Sequence, residues 1–425
     1  MSALKTSTQS LARVSYPRVI ATPKTCSPRH ASPSVCSQRR EFSRMTLSDV
    51  RVQTSIATLR ISFRYNSSVQ LKTPPSASKQ AYDRLRPILD DLPPRIDWAV
   101  AYGSGVIHQA NASSSEAPPM TDFLVSTSDA VSFHAENLKT NPSHYPLWAR
   151  IAGPRTVASV QETMGAEIWY VAMVNIKGLE VKYGVISTDR LVRDLQAWTT
   201  LYVAGRLHKP VLTLMSTPEI DQAQRTNLRA ALSTALLQLP RQFTELQLWE
   251  QIAGISYSGD PRMSVPGAEN PEKVKNIVRG PGNLAGFRDL YRPILEEMGG
   301  LQWVNGGAIT HWEGAGEGMV VRTAALSDER LMSNLPEKVK KAIARPYLRS
   351  PSTSGTFSSS SAEAEKALDP TFQAVLAGAL KRIIHRAALV QSIKGLLTAG
   401  LTKSVIYSLA KFRKWLKARN AKKQK

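Results

Sequence analysis

The chain has 425 residues, with 55 Lys and Arg against 33 Asp and Glu and a net charge of +22. The excess is confined to the ends: residues 1–66 carry eleven bases and two acids, residues 370–425 carry thirteen bases and no acid, and residues 67–369 balance at 31 of each. A neutral body argues against a long nucleic-acid groove, which needs clustered Lys and Arg to neutralise phosphates, so no nucleic-acid partner is expected.

The first segment is rich in Arg and Ser and lacks the continuous apolar run of a secretory signal, which fits a mitochondrial transit peptide over 1–66. Both cysteines, Cys26 and Cys36, lie within it. Disulfides, thiolate zinc and a cysteine nucleophile are thereby excluded from the rest. The histidines show no HExxH pair and no GxxxxGK loop occurs, so a P-loop ATPase is excluded and oxygen-ligated Mg²⁺ or Mn²⁺ is the plausible metal.

Residues 79–91 read as a helix ending before Pro93 and Pro94, followed by a short buried strand over 98–102. Gly103, Ser104 and Gly105 close that strand, and Asp122 sits in the next, over 122–126. Close backbone approach at glycines and one hard oxygen ligand are what a metal-bound triphosphate needs, so the pair of strands suggests nucleotidyl transfer. A plain tight turn between strands would read the same way. Met120 and Leu124 stand where a second acid would flank Asp122, so another metal ligand must come from elsewhere.

Next, His134, Asn137, Asn141 and His144 recur at spacings of three or four, which arrays polar groups on one helical face up to the break at Pro142. Strands are expected over 168–174 and 179–186, the second carrying Lys182, and an amphipathic helix over 189–202 precedes Gly205, Arg206 and Lys209. This predicts an α/β domain over 67–215. Helical patterns dominate 216–347, a second domain, and the Ser-rich stretch 348–366 reads as a linker.

Over 367–425, Phe372, Leu376, Leu380, Ile383, Ile384 and Ala387 recur at helical spacing, and a second stretch runs over 393–416 with Gly395 and Gly400 as breaks. No stretch is apolar enough for a transmembrane helix. A basic amphipathic end with Lys411, Phe412, Lys414 and Trp415 suits an anionic membrane surface, where each base near the surface contributes about 1 kcal/mol. A helix packed on its own domain with an exposed basic face is the alternative.

Several motifs in order carry a resemblance: YGSGV at 102–106, DFLV at 122–125, FHAENLKTNPSHY at 133–145, KYGVIS at 182–187, DLQAWTTLYVAGRLHKPV at 194–211, SYSGDPRM at 256–263, AENPEKVKNIV at 268–278 and SIKGLLTAGLTKSVIYSLAKFRK at 392–414. The chain resembles the mitochondrial phosphatidate cytidylyltransferases, the CDP-diacylglycerol synthases of the translocator-maintenance type. Phe133 and Pro146 depart from the residues usual there, and no charged group is lost. The resemblance implies an α/β nucleotidyltransferase-like domain, a mainly helical winged-helix-like domain and C-terminal amphipathic helices on the matrix face of the inner membrane. It implies that CTP and phosphatidate give CDP-diacylglycerol and pyrophosphate, with Mg²⁺, on the route to cardiolipin.

In that reading Gly103, Ser104 and Gly105 cradle phosphates, Asp122 holds the metal, and Asp129 is the first choice for a second ligand, with Glu180 and Glu167 behind it. Lys182 places its ammonium against a phosphate, while His134, Asn137 and His144 line the nucleotide or lipid-phosphate site. Arg262, Lys273, Lys275 and Arg279 offer cations to the lipid head group. Two other classes remain: an RNA-directed nucleotidyltransferase, disfavoured by the neutral body, and a non-catalytic scaffold for protein import, favoured only by the missing second acid.

Overall fold

In the computed structural model the chain divides into two units, residues 1–66 and 67–425. The described residues are 77–103, 106, 120–264, 270, 272–310, 314–348 and 370–399. The expected transit segment, Ser104, Gly105, the Ser-rich linker and Lys411, Phe412, Lys414 and Trp415 lie outside them.

The main sheet is built from β1 (Trp98–Tyr102), β2 (Thr121–Thr127), β3 (Ile168–Ile176), β4 (Leu179–Ser187) and β5 (Leu212–Met215). Its order is β3-β4-β2-β1-β5. Strands β2 and β4 run parallel and the other neighbours antiparallel. Because successive side chains on a strand point to opposite faces, the sheet feeds two cores. Val100, Tyr102, Leu124, Ile168 and Ile186 enter one. Ala101, Phe123, Val125, Trp169, Tyr183 and Val185 enter the other.

The second core is closed by α1 (Ala77–Leu85), α2 (Ala130–Thr140) and α3 (Leu147–Thr163), through Leu85, Phe133, Ala149 and Val157. Helix α2 starts where the Asp129 carboxylate accepts the Ser132 amide at 2.9 Å, a side-chain N-cap. Helix α3 is broken inside by Gly153, whose φ is 79°, followed by Pro154. This helix had no clear signature in the sequence, since Gly-Pro reads as a loop.

The first core is closed by α4 (Thr188–Ala197), the single turn α5 (Val203–Arg206) and α6 (Pro218–Leu236). The helix expected over 189–202 stops at Ala197. The reason is Asp194, whose buried carboxylate accepts the amides of Thr200, Leu201, Val203 and Ala204 at 2.7–3.1 Å. Those donors turn back onto one side chain, and Trp198 and Leu201 adopt positive φ of 53° and 55° to allow it.

Beyond α6 follow β6 (Gln242–Thr244), α7 (Glu245–Ile255), α8 (Lys273–Val278), α9 (Asn283–Met298), β7 (Leu301–Trp303), β8 (Met319–Arg322), α10 (Asp328–Ser333), α11 (Glu337–Leu348) and α12 (Pro370–Ala399). The three short strands pair antiparallel in the order β6-β8-β7, a sheet that the helical patterns of this region concealed. Helix α7 opens with a reciprocal capping box between Thr244 and Gln247. Its Trp249 packs against Phe287 and Tyr291 of α9, extending the first core.

Helix α12 differs from expectation in two ways. Its stripe from Phe372 to Ala387 is buried against the body instead of being presented to a membrane. It also runs through Gly395 to Ala399, despite the ~1 kcal/mol that a mid-helix glycine costs. Tertiary anchors hold it there: the Gln391 carboxamide accepts the Ala166 amide at 3.1 Å, and the buried Lys394 ammonium donates to the carbonyls of Met164 at 2.6 Å and Gln161 at 3.3 Å. Those carbonyls belong to the last turn of α3 and the residue after it, which otherwise lack intrahelical donors.

Candidate active site

Three side chains lie abreast on neighbouring strands, because Tyr102 pairs with Asp122 and Asp122 with Lys182 in the sheet register. All three point to the face of the first core, at the edge where that core gives way to an open cleft. The Lys182 ammonium is 3.3 Å from Asp122 Oδ1 and 4.8 Å from the centre of the Tyr170 ring. Asp122 Oδ1 is buried and accepts no hydrogen bond. Gly103 follows Tyr102 with φ of 89°, and a Cβ there would lie 3.1 Å from Asp122 Oδ2. Any other residue would crowd that carboxylate and be strained at this φ.

The chain that Asp194 gathers supplies the facing wall, with Tyr202, Val203, Arg206 and Lys209. The Arg206 guanidinium stacks 4.4 Å from the Tyr102 ring. Lys209 is only 2 % exposed. Its ammonium donates to the Gly205 carbonyl and the Ser256 hydroxyl, each at 2.6 Å, and lies 4.9 Å from the Tyr257 ring. Burial, reinforced by the positive charges of Arg206 and Lys273, pushes the Lys209 pKa well down. Burial, with Asp122 adding to it, pushes the Tyr102 phenol up to about 12, so it stays protonated.

Residues after α7 complete the cleft. Asp260 holds Arg262 through both carboxylate oxygens at 2.6–3.1 Å, Lys273 lies 5.7 Å from the Tyr257 ring, and Ile384 and Ala388 of α12 line one side. Five cations, Lys182, Arg206, Lys209, Arg262 and Lys273, thus face two carboxylates, one of which is taken up by Arg262. Such an excess, partly desolvated, suits an anion of high charge.

Of the residues expected at a site, Gly103, Asp122, Lys182, Arg262 and Lys273 come together here. Lys275 and Arg279 do not line the cleft: Lys275, two positions from Lys273 on α8 and so on a different side, pairs with Glu272 at 3.3 Å, and Arg279 just after the helix pairs with Glu250 at 2.8 Å. Asp129 lies past the far end of β2, beyond the five residues and about 17 Å of strand from Asp122 to Thr127, and its carboxylate is engaged by Ser132, which lowers its pKa, and by Arg95 at 3.6 Å. It therefore cannot share an ion with Asp122. Alternation instead leaves Glu180 on the Lys182 face of β4, while Glu167 pairs with Arg190 at 3.2 Å.

His134, Asn137 and His144 lie behind the sheet, in the second core. His134 bonds Tyr145 Oη and Gln161 Oε1, each at 2.8 Å, Asn137 donates to Tyr145 and Tyr183, and His144 bonds Tyr183 Oη at 2.8 Å. Burial pulls the His134 pKa down to about 4, so it is a neutral internal linker. Sequence reasoning missed Tyr102, Arg206, Lys209 and Tyr257 as site residues. The run GRLHKP after an amphipathic helix was the local signal for Arg206 and Lys209, while Tyr102 and Tyr257 sit in the motifs YGSGV and SYSGDPRM.

A cleft with this excess of cations, floored by the Asp122 carboxylate paired with Lys182, has the chemistry of a polyphosphate-handling enzyme site. The sequence profile described as "Phosphatidate cytidylyltransferase, mitochondrial" matches residues 85–414. A protein of that name from Mus musculus is 36% identical over 338 residues, covering 78% of this chain and 94% of its own. One from Schizosaccharomyces pombe is 36% identical over 326 residues, covering 76% and 80%. The chain belongs to the mitochondrial phosphatidate cytidylyltransferase family. Among the described residues no helix is long and apolar enough to cross a membrane.

Proposed function

We propose that this protein transfers the cytidylyl group of CTP to phosphatidate, giving CDP-diacylglycerol and pyrophosphate, and that the cleft between β2, β4 and the segment 198–210 is where it does so. The observation that carries this is the meeting of Asp122 and five cations in one cleft. A phosphate oxygen of phosphatidate attacks the α-phosphorus of CTP in line, the bond to the bridging oxygen of the β-phosphate breaks, and pyrophosphate leaves with its electrons. The nucleophile is already an anion, so the work is positioning and charge neutralisation more than proton removal.

Two polyanions repel one another, and Arg206, Lys209 and Lys273 are grouped to offset that repulsion around Tyr257. Lys182 balances Asp122 before substrate arrives and reaches a phosphate afterwards. Asp122 Oδ1, which accepts no hydrogen bond and has the Lys182 ammonium 3.3 Å away, fits a hard divalent cation such as Mg²⁺ or Mn²⁺ once Lys182 turns to a phosphate, with remaining ligands drawn from the triphosphate. When bound, such an ion would neutralise charge on the phosphates. Ser104 and Gly105 follow Gly103 directly and are assigned to the triphosphate by that adjacency.

The succession α6, β6, α7, α8, α9, β7, β8, with β8 central in its sheet, supports reading residues 216–347 as a winged-helix-like unit beside a nucleotidyltransferase-like domain. We place the enzyme on the matrix side of the mitochondrial inner membrane, feeding cardiolipin synthesis, with Lys411, Phe412, Lys414 and Trp415 at the lipid surface. The relatives' mitochondrial names and the acid-free basic end support this. The test is pyrophosphate release by the full chain: it should need CTP and phosphatidate together, and release with CTP alone at the same rate would refute the acceptor.

A further inference from the structure

The face of α12 turned away from the cleft changes character along its length. Lys381, Arg382 and Arg386 are exposed near its middle, and further along the same stripe the exposed residues become Leu389, Ile393 and Leu397, at successive spacings of four. Those three are 44%, 51% and 53% exposed. Helical periodicity puts them in one line on the helix surface. The first turns of α3 stand beside this line, joined to it by the Trp148 indole, which donates to the Leu397 carbonyl at 3.0 Å. There Leu147 and Ile151 are 69% and 79% exposed, and Arg150 and Arg155 are exposed beside them. The break at Gly153 and Pro154 turns this short apolar piece away from the line of the rest of α3.

We propose that this face, Leu147, Trp148 and Ile151 of α3 with Leu389, Ile393 and Leu397 of α12, is a bilayer-contact surface belonging to the folded body. The inference rests on the reading that the acceptor is a membrane lipid. Three features choose a lipid surface as the occupant. A basic band adjoining an apolar band on one helix face matches the order of head groups and acyl chains at an interface. Residues 370–425 contain no acid, so nothing in that part of the chain repels an anionic leaflet. The other side of α12 lines the cleft with Ile384 and Ala388, so the surface and the site are separated by one helix, about 10 Å across. A lipid held at the surface then has its phosphate within reach of the cleft while its tails stay in the bilayer.

The experiment compares the full chain with Leu147→Asp/Ile151→Asp and with Val304→Asp, an exposed apolar position outside this face. Each is assayed for flotation with phosphatidylcholine–phosphatidate vesicles, and for CDP-diacylglycerol formation from vesicle phosphatidate and from water-soluble dihexanoyl phosphatidate. The double variant should lose about tenfold or more in flotation and vesicle turnover, with turnover of the soluble lipid unchanged and Val304→Asp unaffected throughout. Native-level flotation and vesicle turnover in the double variant would overturn the surface, as would equal loss on both lipids. Flotation retained with loss of self-association in sedimentation would reassign the face to a second copy of the chain. If native protein floats and the double variant does not, while neither turns over either lipid, the surface stands and the catalytic reading falls.

Discussion

Lys209 is an ammonium enclosed by protein with a carbonyl, a hydroxyl and an aromatic face for company. Its depressed pKa means that the free enzyme holds that proton weakly, whereas a bound phosphate would hold it firmly. Nucleotide binding should therefore take up a proton, and affinity for CTP should fall as pH rises through the interval between the free and bound pKa values. Calorimetric titration in two buffers of different ionisation heat measures that uptake, and Lys209→Gln should bind more weakly with the uptake gone. At this scale the sequence disclosed Gly103, Asp122 and Lys182, because a glycine turn and an acid on adjacent strands are local patterns. It could not disclose Tyr102, Arg206, Lys209 and Tyr257 as one group, since they meet only through the sheet register and the fold-back around Asp194. For His134 and Asn137 the spacing fixed a shared helical face without fixing the side of the sheet it would cover, and His144 reaches the same core from the turn after Pro142.

Two elements owe much of their shape to buried polar side chains. The segment 198–206, which carries one wall of the cleft, is gathered by Asp194 through four backbone amides and the hydroxyls of Thr199 and Thr200, with Asn227 bonding Trp198 and the Ala204 carbonyl from outside. Leaving those buried donors unmet costs about 1–3 kcal/mol each before relaxation. Asp194→Ala should thus destabilise the protein by about 3 kcal/mol or more and lower turnover with it, as read from denaturant unfolding beside activity. Lys394 ties α12 to the end of α3 in a comparable way. Burial takes its pKa from the usual 10.5 to about 7, so between those values the unfolded chain binds the extra proton. Its contribution to stability consequently rises with pH across that window and is smallest below pH 7. Lys394→Met should remove a slope of up to about 1.4 kcal/mol per pH unit, seen as unfolding midpoints that no longer increase between neutral and alkaline pH. The periodicity of α12 was legible from Phe372 to Ala387, but its continuation past Gly395 was not, because the bonds that sustain it come from residues 161–168.

Over the whole molecule, the cleft exists because a mixed sheet, a looped segment, the end of α7 and one long C-terminal helix close around the same space. The α/β character of the first part was readable from strand and helix patterns, and the small β6-β8-β7 sheet was not, its strands being three or four residues long. The central claim is cytidylyl transfer at Asp122. The most direct measurement incubates the full chain and Asp122→Asn with CTP, Mg²⁺ and phosphatidate vesicles, and quantifies CDP-diacylglycerol and pyrophosphate. The native chain should form the two in equal amounts, and the variant, with an unchanged unfolding midpoint, about a thousandfold less or lower. Native-level product from Asp122→Asn, or none from a native chain that binds CTP and vesicles, would contradict it.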